Sequence, residues 1–236
     1  MKIACWSGPR NVSTALMRSW SSRDDTFVTD EPFYSYYLKE TKKKHPMYQK
    51  IINQYPSDYN EIVNYLINDV PSQKKIWYQK QMAHHLIDLS NIDWIKDCEN
   101  CILIRHPKEV INSYTTKKNL NSVYELGYPQ QFEIVKFLKQ SNQRFQVIDS
   151  EDLLQNPKKV LFDWCESLNI KFDKSMLRWE KGIHQNDGIW GKHWYNNVIE
   201  TTGFQKYQKK DINIENKYYS IYNESMEYFN YLKGFK

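Results

Sequence analysis

Ile3-Ala4-Cys5-Trp6-Ser7-Gly8-Pro9-Arg10-Asn11-Val12-Ser13-Thr14 is the stretch on which the reading of this chain turns. Four residues of buried-strand type run into the breaker Ser7-Gly8-Pro9, after which Val12, Leu16, Met17 and Trp20 recur at helical spacing up to Ser22. A strand, a tight turn and a helix start aim several backbone N–H groups at one spot, where the helix dipole adds partial positive charge. That spot suits an anion. A nucleoside-triphosphate loop needs Gly and Lys where this chain has Ser13 and Thr14, so the ATP signature fails at its two most informative positions and kinase chemistry is disfavoured. Taken alone, the segment also admits a plainer account, with Ser13 as an N-cap and Arg10 on the surface.

Working outward, residues 26–29, 76–79, 101–104 and 145–148 form further strand patterns with helical patterns between them. Strands alternating with helices predict an α/β fold, a parallel β-sheet of about five strands flanked by helices. Two stretches stand outside the alternation. Residues 39–70 carry helical patterns at 47–53 and 59–68, and residues 182–203 are rich in Trp, His and Gly. Ligands of α/β sheets sit beyond the carboxyl ends of the strands, so both stretches are lid candidates. A final helix is expected over 213–232.

The 236 residues fit a single domain spanning 1–236, long enough to bury a core without disulfides or metal. Hydrophobic residues at 40% and charged residues at 26% exclude disordered, collagenous and membrane-spanning classes. The net charge of +5 points softly to an anionic partner, because 28 acidic residues are interspersed with 33 basic ones. The short basic runs Lys42-Lys43-Lys44 and Lys209-Lys210 read as solvated surface. The turn at Ser7 comes too early for a secretory signal, so a cytoplasmic protein with reduced cysteines is expected. Cys98 and Cys101 have redox spacing, but Cys101 falls on a buried strand and no second pair completes a zinc site, so they read as structural and no metal is expected.

The strand at 101–104 ends in Arg105-His106-Pro107, with Pro107 suited to the first helical position, which puts Arg105 at the strand mouth and Ser113 about two turns into the helix. Both can reach one anion. Further on, Phe145 to Leu154 joins a strand to a capped acidic turn, then Asn156-Pro157 opens a helix through Leu168.

In these three segments the chain resembles the sulfotransferases that use 3′-phosphoadenosine 5′-phosphosulfate. Pro9-Arg10-Asn11-Val12-Ser13-Thr14 is similar to that family's 5′-phosphosulfate loop, Arg105 and Ser113 keep the spacing of its 3′-phosphate site, and 147–157 resembles its Glu-Asp-Leu-Leu-x-x-Pro segment. In detail it resembles a bacterial group of sulfotransferase-like proteins through Trp6–Asn11, Asp30-Glu31-Pro32, Gln79–His85 and Asp187-Gly188-Ile189-Trp190. The resemblance spans roughly 3–204 and rests on the order and spacing of motifs that are weak singly. It implies a P-loop nucleotide-hydrolase-like sulfotransferase fold, with 3′-phosphoadenosine 5′-phosphosulfate as co-substrate held by Gly8 to Thr14 and by Arg105 and Ser113. It also implies cationic side chains in place of magnesium, with Arg10 at the bridging oxygen.

For the general base the sequence leaves Glu31 and His84. Glu31 follows the strand at 26–29 and adjoins Pro32 and a Phe33, Tyr34, Tyr36, Tyr37 patch that raises a carboxyl pKa by desolvation. A glutamate at a similar place serves some bacterial relatives. Cytosolic relatives place a His two residues after a strand-end Lys, where this chain has Met82 after Lys80; His84 is displaced by two and expected on a helix. Lys80 is a possible second contact to the transferring group. Asp30-Glu31-Pro32 equally reads as a helix start capped by Asp30. Of the adjacent His84 and His85, one at most enters a site and the other is expected at the surface. Trp190, His193, Trp194 and Tyr195 line a pocket or form a packed aromatic corner, and Lys181, Gly182 and Lys192 fall where related enzymes close a basic loop over the 3′-phosphate.

The function these readings favour is sulfuryl transfer to a hydroxyl or amine of a small acceptor, without nucleic acid or membrane. A non-catalytic nucleotide-binding protein of the same fold is the alternative. An RNA-binding protein ranks last, since no stacking motif is present. Acceptor and oligomeric state are left open.

Overall fold

In a computed structural model, which describes residues 1–209 and 211–236, the five expected strands form one parallel sheet. Lys210 of the expected basic pair lies outside the described residues. The strands are β1 (Lys2–Ser7), β2 (Thr26–Asp30), β3 (Ile76–Met82), β4 (Glu99–Ile104) and β5 (Phe145–Asp149), in the order β2-β3-β1-β4-β5. Every pair is parallel, with Cys5 level with Lys80 on one side and Cys101 on the other.

Their near-continuous apolar runs follow from burial on both faces. Side chains alternate between faces along a strand, so Ile3 and Cys5 join one core cluster while Ala4 and Trp6 join the other. The first cluster is completed by α1 (Ser13–Ser21) and α8 (Pro157–Ser167) through Leu16, Met17, Trp20, Leu161 and Trp164. The second is covered by α4 (Tyr59–Leu66), α5 (Pro107–Thr115), α6 (Tyr128–Gln140) and α10 (Tyr219–Lys233). The four cysteines are buried free thiols, as a structural reading of Cys98 and Cys101 requires.

The crossover from β2 to β3 contains α2 (Tyr34–Thr41), α3 (Tyr48–Gln54) and α4. Ile62 and Leu66 of α4 belong to the main core. Ile51 of α3 instead joins Tyr34, Tyr37, Leu38, Trp190 and Tyr195 in a third cluster, to which α9 (Gly191–Trp194) also contributes. Residues from both 39–70 and 182–203 therefore meet above the carboxyl ends of β2 and β3.

Three local expectations are corrected. The final helix starts at Tyr219, not 213: Ile214 is fixed in the core by packing, and Asn216–Tyr218 is one 3-10 turn ahead of the helix. Asp30 does not cap a helix; it is the last residue of β2, and α2 begins at Tyr34. Ser13 is not an N-cap either, because Val12 holds that position without a side-chain cap bond. The acidic turn after β5 is α7 (Ser150–Gln155), capped by the Asp149 carboxylate on Glu151 N–H at 3.0 Å.

Candidate functional site

The loop between β1 and α1 is tightly held. Two of its side-chain-bearing residues, Arg10 (φ 64°) and Val12 (φ 55°), adopt the left-handed conformation, a strain of about 1–2 kcal/mol each that the surroundings must impose. Asn11 is buried and donates to Leu103 O at 2.8 Å, while Ser150 Oγ donates to Asn11 O at 3.2 Å. Gln131 Nε2 bonds Trp6 O at 3.0 Å and Leu103 O at 2.9 Å, tying β1 and β4 to α6. Gly8 is required by packing: a Cβ there would lie 2.0 Å from Leu126 O. The first intrahelical bond of α1 is Leu16 N–H to Val12 O at 3.1 Å, which leaves the N–H groups of Ser13, Thr14 and Ala15 without backbone acceptors among the described residues. Left-handed residues leading into a free helix N-terminus make an anion-binding concavity.

Two guanidinium groups converge on it. Arg10 Nε donates to Ser113 Oγ at 2.9 Å, and Arg105 Nη1 donates to Arg10 O at 2.7 Å. Thus the structure brings Arg10, Arg105 and Ser113 together from the ends of β1 and β4 and from α5. Arg10 has no carboxylate partner among the described residues, and burial, followed by the adjacent Arg105 charge, lowers its pKa from the ordinary value. Arg105 does have one: its Nε donates to Glu109 Oε2 at 2.8 Å, and Glu109 Oε1 accepts from Tyr207 OH at 2.8 Å. The remaining valences of this half-buried pair suit a polyanion, and the donor named in the sequence reading fits them. Lys181 pairs instead with Glu200 at 2.6 Å, and Lys192 is exposed.

One strand further along the same edge lies a closed ionic network. Lys80 Nζ donates to Asp30 Oδ1 at 2.8 Å, Glu31 Oε1 at 2.5 Å and Tyr195 OH at 2.8 Å, and its side chain is 1% exposed. An ammonium has three donors, so Lys80 is fully used. The expected direct contact of Lys80 with a transferring group gives way to a different role, that of holding Glu31. Asp30 also accepts from Gly188 N–H at 3.0 Å and from Tyr195 OH, whose oxygen in turn accepts from Trp190 Nε1 at 3.1 Å. Behind it, Asp187 pairs with Arg18, both side chains 1% exposed.

Glu31 is the member of this network that keeps a free oxygen. Its Oε1 meets Lys80 and, at 3.2 Å, Tyr195 OH; among the described residues its Oε2 has no partner. Its backbone is left-handed (φ 45°) and its N–H is held by Lys80 O at 2.9 Å. Burial, only partly countered by the Lys80 charge, pushes its pKa above the usual carboxylate range.

His84 sits in a 3-10 turn (Ala83–His85), not on the expected helix, because β3 continues to Met82. Neither histidine is at the surface. His85 is buried between Tyr34 and Tyr37, with ring centroids 4.9 and 4.8 Å away, and His84 meets Tyr37 edge to face at 5.3 Å. The Nδ1 atoms of both are buried without a partner. Burial, then the nearby His45, Lys43 and Lys118, press His84 down to about 3. Such an imidazole is neutral and weakly basic at neutral pH.

Asp30 and Tyr195 join this network through contacts that the sequence left open, Asp30 between a motif residue and a cap, Tyr195 between a pocket wall and an aromatic corner. His45 and Lys118, described below, carried no signal beyond residue type. The shared motif elements Asp30-Glu31-Pro32 and Asp187–Trp190 were the available clue, since their grouping in space explains their joint occurrence.

A family model for a sulfotransferase domain matches residues 1–234. Among solved structures, the sulfotransferase domain from the Synechococcus PCC 7002 olefin synthase is 18% identical, with a TM-score of 0.61 over 99% of this chain and 94% of that one. The sulfotransferase domain from the curacin biosynthetic pathway is 15% identical, with a TM-score of 0.55 over 94% and 96%. At these identities the likeness concerns the fold. Two Arabidopsis thaliana proteins, branched-chain-amino-acid aminotransferase-like proteins 2 and 1, are 32% and 31% identical over 232 residues, 98% of this chain. The chain spans only 41% of the length of these curated relatives.

Proposed function

The chain belongs to the sulfotransferase domain family, and from that premise we propose that it moves a sulfuryl group from 3′-phosphoadenosine 5′-phosphosulfate to a hydroxyl or amine of a small acceptor. The observation that carries this reading is the convergence of Arg10 and Arg105 at Ser113 beside the free N–H groups of α1. The aminotransferase-like name of the plant relatives is not carried over, since the shared stretch is the one that the sulfotransferase model matches.

The donor supplies a sulfuryl group already bonded to a good leaving phosphate. What the chain adds is alignment, charge neutralisation and proton removal. Arg10, with the first-turn N–H groups and the Ser13 and Thr14 hydroxyls, neutralises negative charge on the leaving side. Arg105 and Ser113 hold the 3′-phosphate, and Glu109 with Tyr207 fixes the Arg105 fork. Glu31, oriented by Lys80 and Tyr195, takes the acceptor proton on Oε2. No metal enters this scheme. A cytoplasmic setting and the absence of nucleic-acid or membrane partners belong to the same proposal; among the described residues no helix is long and apolar enough to cross a membrane.

The test is a single-turnover assay with the labelled donor, following release of adenosine 3′,5′-bisphosphate in the presence of generic phenols and amines. Release that depends on Arg10 and Glu31 supports the reading. Tight nucleotide binding with no release under any acceptor would replace it with the non-catalytic alternative.

A further inference from the structure

Next to Glu31 lies a group of basic side chains that sulfuryl transfer as described leaves unused. Lys118, just beyond α5, places its Nζ 3.0 Å from His45 Nε2 and 4.4 Å from the Trp194 ring centre. His45 is fixed from its other side by Tyr34 OH at 2.8 Å. Lys43 lies 5.5 Å from the Tyr37 ring centre, and His84 meets the same ring. The turn carrying His84 is also adjacent to the anion loop: a Cβ on Gly127 would lie 3.1 Å from Gly8 Cα and 3.6 Å from His84 N. The group thus stands beside the turn that touches the loop, within reach of the Glu31 charge.

Charge balance in this group is incomplete. Lys43 pairs with Glu125 at 3.1 Å, and Glu125 is also met by Tyr114 OH at 3.4 Å. Lys118 has no carboxylate partner among the described residues; its one polar neighbour is the imidazole of His45. The imidazoles stay neutral, with burial holding His45 and His84 down to about 3, and burial next to Lys43 lowers Lys118 to about 8. Glu125 and, after it, Glu31 lie close enough for their charges to act on Lys118 in the opposite sense. One cation, half-buried and without a directly paired carboxylate among the described residues, therefore stands beside the Trp194 ring and near a buried imidazole Nδ1 that has no partner there. Leaving such groups unpaired is costly, and a monoanion settles them.

We propose that the acceptor is a small carboxylate, a hydroxy or amino acid whose carboxylate is held by Lys118, which His45 positions beside His84, while its hydroxyl or amine faces Glu31. This rests on the reading of the site as a sulfuryl-transfer centre. A single uncompensated ammonium matches a carboxylate better than a phosphate dianion, since Lys43 is already spent on Glu125. The half-buried ring of Trp194 would pack the acceptor's carbon chain.

The experiment compares 3-hydroxybutyrate, 4-hydroxybutyrate and 4-aminobutyrate with their uncharged methyl esters or amides, and with glycerol 3-phosphate. Binding is read by saturation-transfer NMR and calorimetry, on the free protein and on protein loaded with adenosine 3′,5′-bisphosphate. The acids should bind more tightly than their uncharged counterparts by about tenfold to a hundredfold, the size of one charge-assisted contact. Lys118→Met should abolish that preference while nucleotide affinity stays the same, which also shows the variant to be folded, and Lys118→Arg should keep part of it. Equal binding of acids and uncharged forms across the series, or a preference for glycerol phosphate, would overturn the proposal. So would loss of nucleotide affinity in Lys118→Met, which would give Lys118 to the donor. If the bisphosphate itself fails to bind, the donor reading falls, yet the acid-to-ester comparison on the free protein still decides this one.

Discussion

The turn after β1 and the turn after β2 stand at the same edge of the sheet with only β3 between their strands, but they handle charge in opposite ways. Among the described residues the polar groups around Arg10 are half-open: a guanidinium without a carboxylate, helix N–H groups without backbone acceptors, and Arg105 only partly satisfied by Glu109. Around Lys80 almost everything is paired and dry, with Asp30, Glu31, Tyr195 and Gly188 closing on one another. In the proposed function the first region receives an anion from outside, and the second holds one carboxylate oxygen, Glu31 Oε2, in a fixed place. Unpaired polar groups next to a fully paired network separate a binding surface from a positioning scaffold.

Substitutions can break this contrast, and the largest effect is expected at Glu31. Glu31→Gln should lower turnover by roughly 10²–10⁴, the range for losing a positioned base, with nucleotide affinity retained. The fold should survive because Lys80 keeps Asp30. His84→Ala should cost less, and the reverse ranking in the same assay would make the histidine the base. The pH profile sharpens the point. A base must be ionised, and Glu31 is raised by burial, so activity should fall on acidification at a pH above the usual carboxylate range, and this limb should vanish in Glu31→Gln.

Next comes Lys80→Ala, which leaves two buried carboxylates facing each other. A loss of about 3–5 kcal/mol in denaturant unfolding is expected. In the open region Arg10→Ala should leave stability nearly unchanged and lower turnover by roughly 10²–10³, more than it weakens donor binding, because the charge it meets grows in the transition state. A change confined to the Michaelis constant would reduce Arg10 to a binding contact.

The least localised effect concerns stability against pH. His45 and His84 are held down to about 3 and His85 well below its ordinary value by burial, whereas each titrates near 6.5 when unfolded. The unfolded chain thus takes up protons first. The stability from these neutral imidazoles is present above about pH 6.5 and is lost as pH falls below it, at no more than about 1.4 kcal/mol per pH unit for each. Glu31 has the opposite sign and offsets part of the loss. Unfolding midpoints between pH 7 and 5 should fall, and His85→Phe should flatten the slope.

The open region was largely legible in the sequence, and the closed one was not. Arg10, Ser113 and Arg105 lie in or beside strand-turn-helix segments whose geometry follows from local pattern, so their meeting could be anticipated from β1 and β4 alone. The sheet strands were readable for the same reason, as buried parallel strands are apolar without interruption. The network around Lys80 depends on which strand lies beside β3 and on residues 187–195 returning over it, more than a hundred positions away. Asp30 before Pro32 has a good local explanation as a cap, and only the contacts of Tyr195 and Gly188 overrule it. His84 was misplaced because Lys80 and Gln81 read as leaving the strand, when their burial against β1 and β2 extends it to Met82.

In the proposed function Arg105 and Ser113 recognise a 3′-phosphate next to the loop, and calorimetric titration tests this directly. The wild-type protein should bind adenosine 3′,5′-bisphosphate more tightly than 5′-AMP, ADP or ATP, and Arg105→Ala should weaken the bisphosphate by about 1.5–3 kcal/mol while leaving 5′-AMP nearly unchanged. Equal affinity for all four nucleotides, or equal losses for the bisphosphate and 5′-AMP in a folded Arg105→Ala protein, would contradict it.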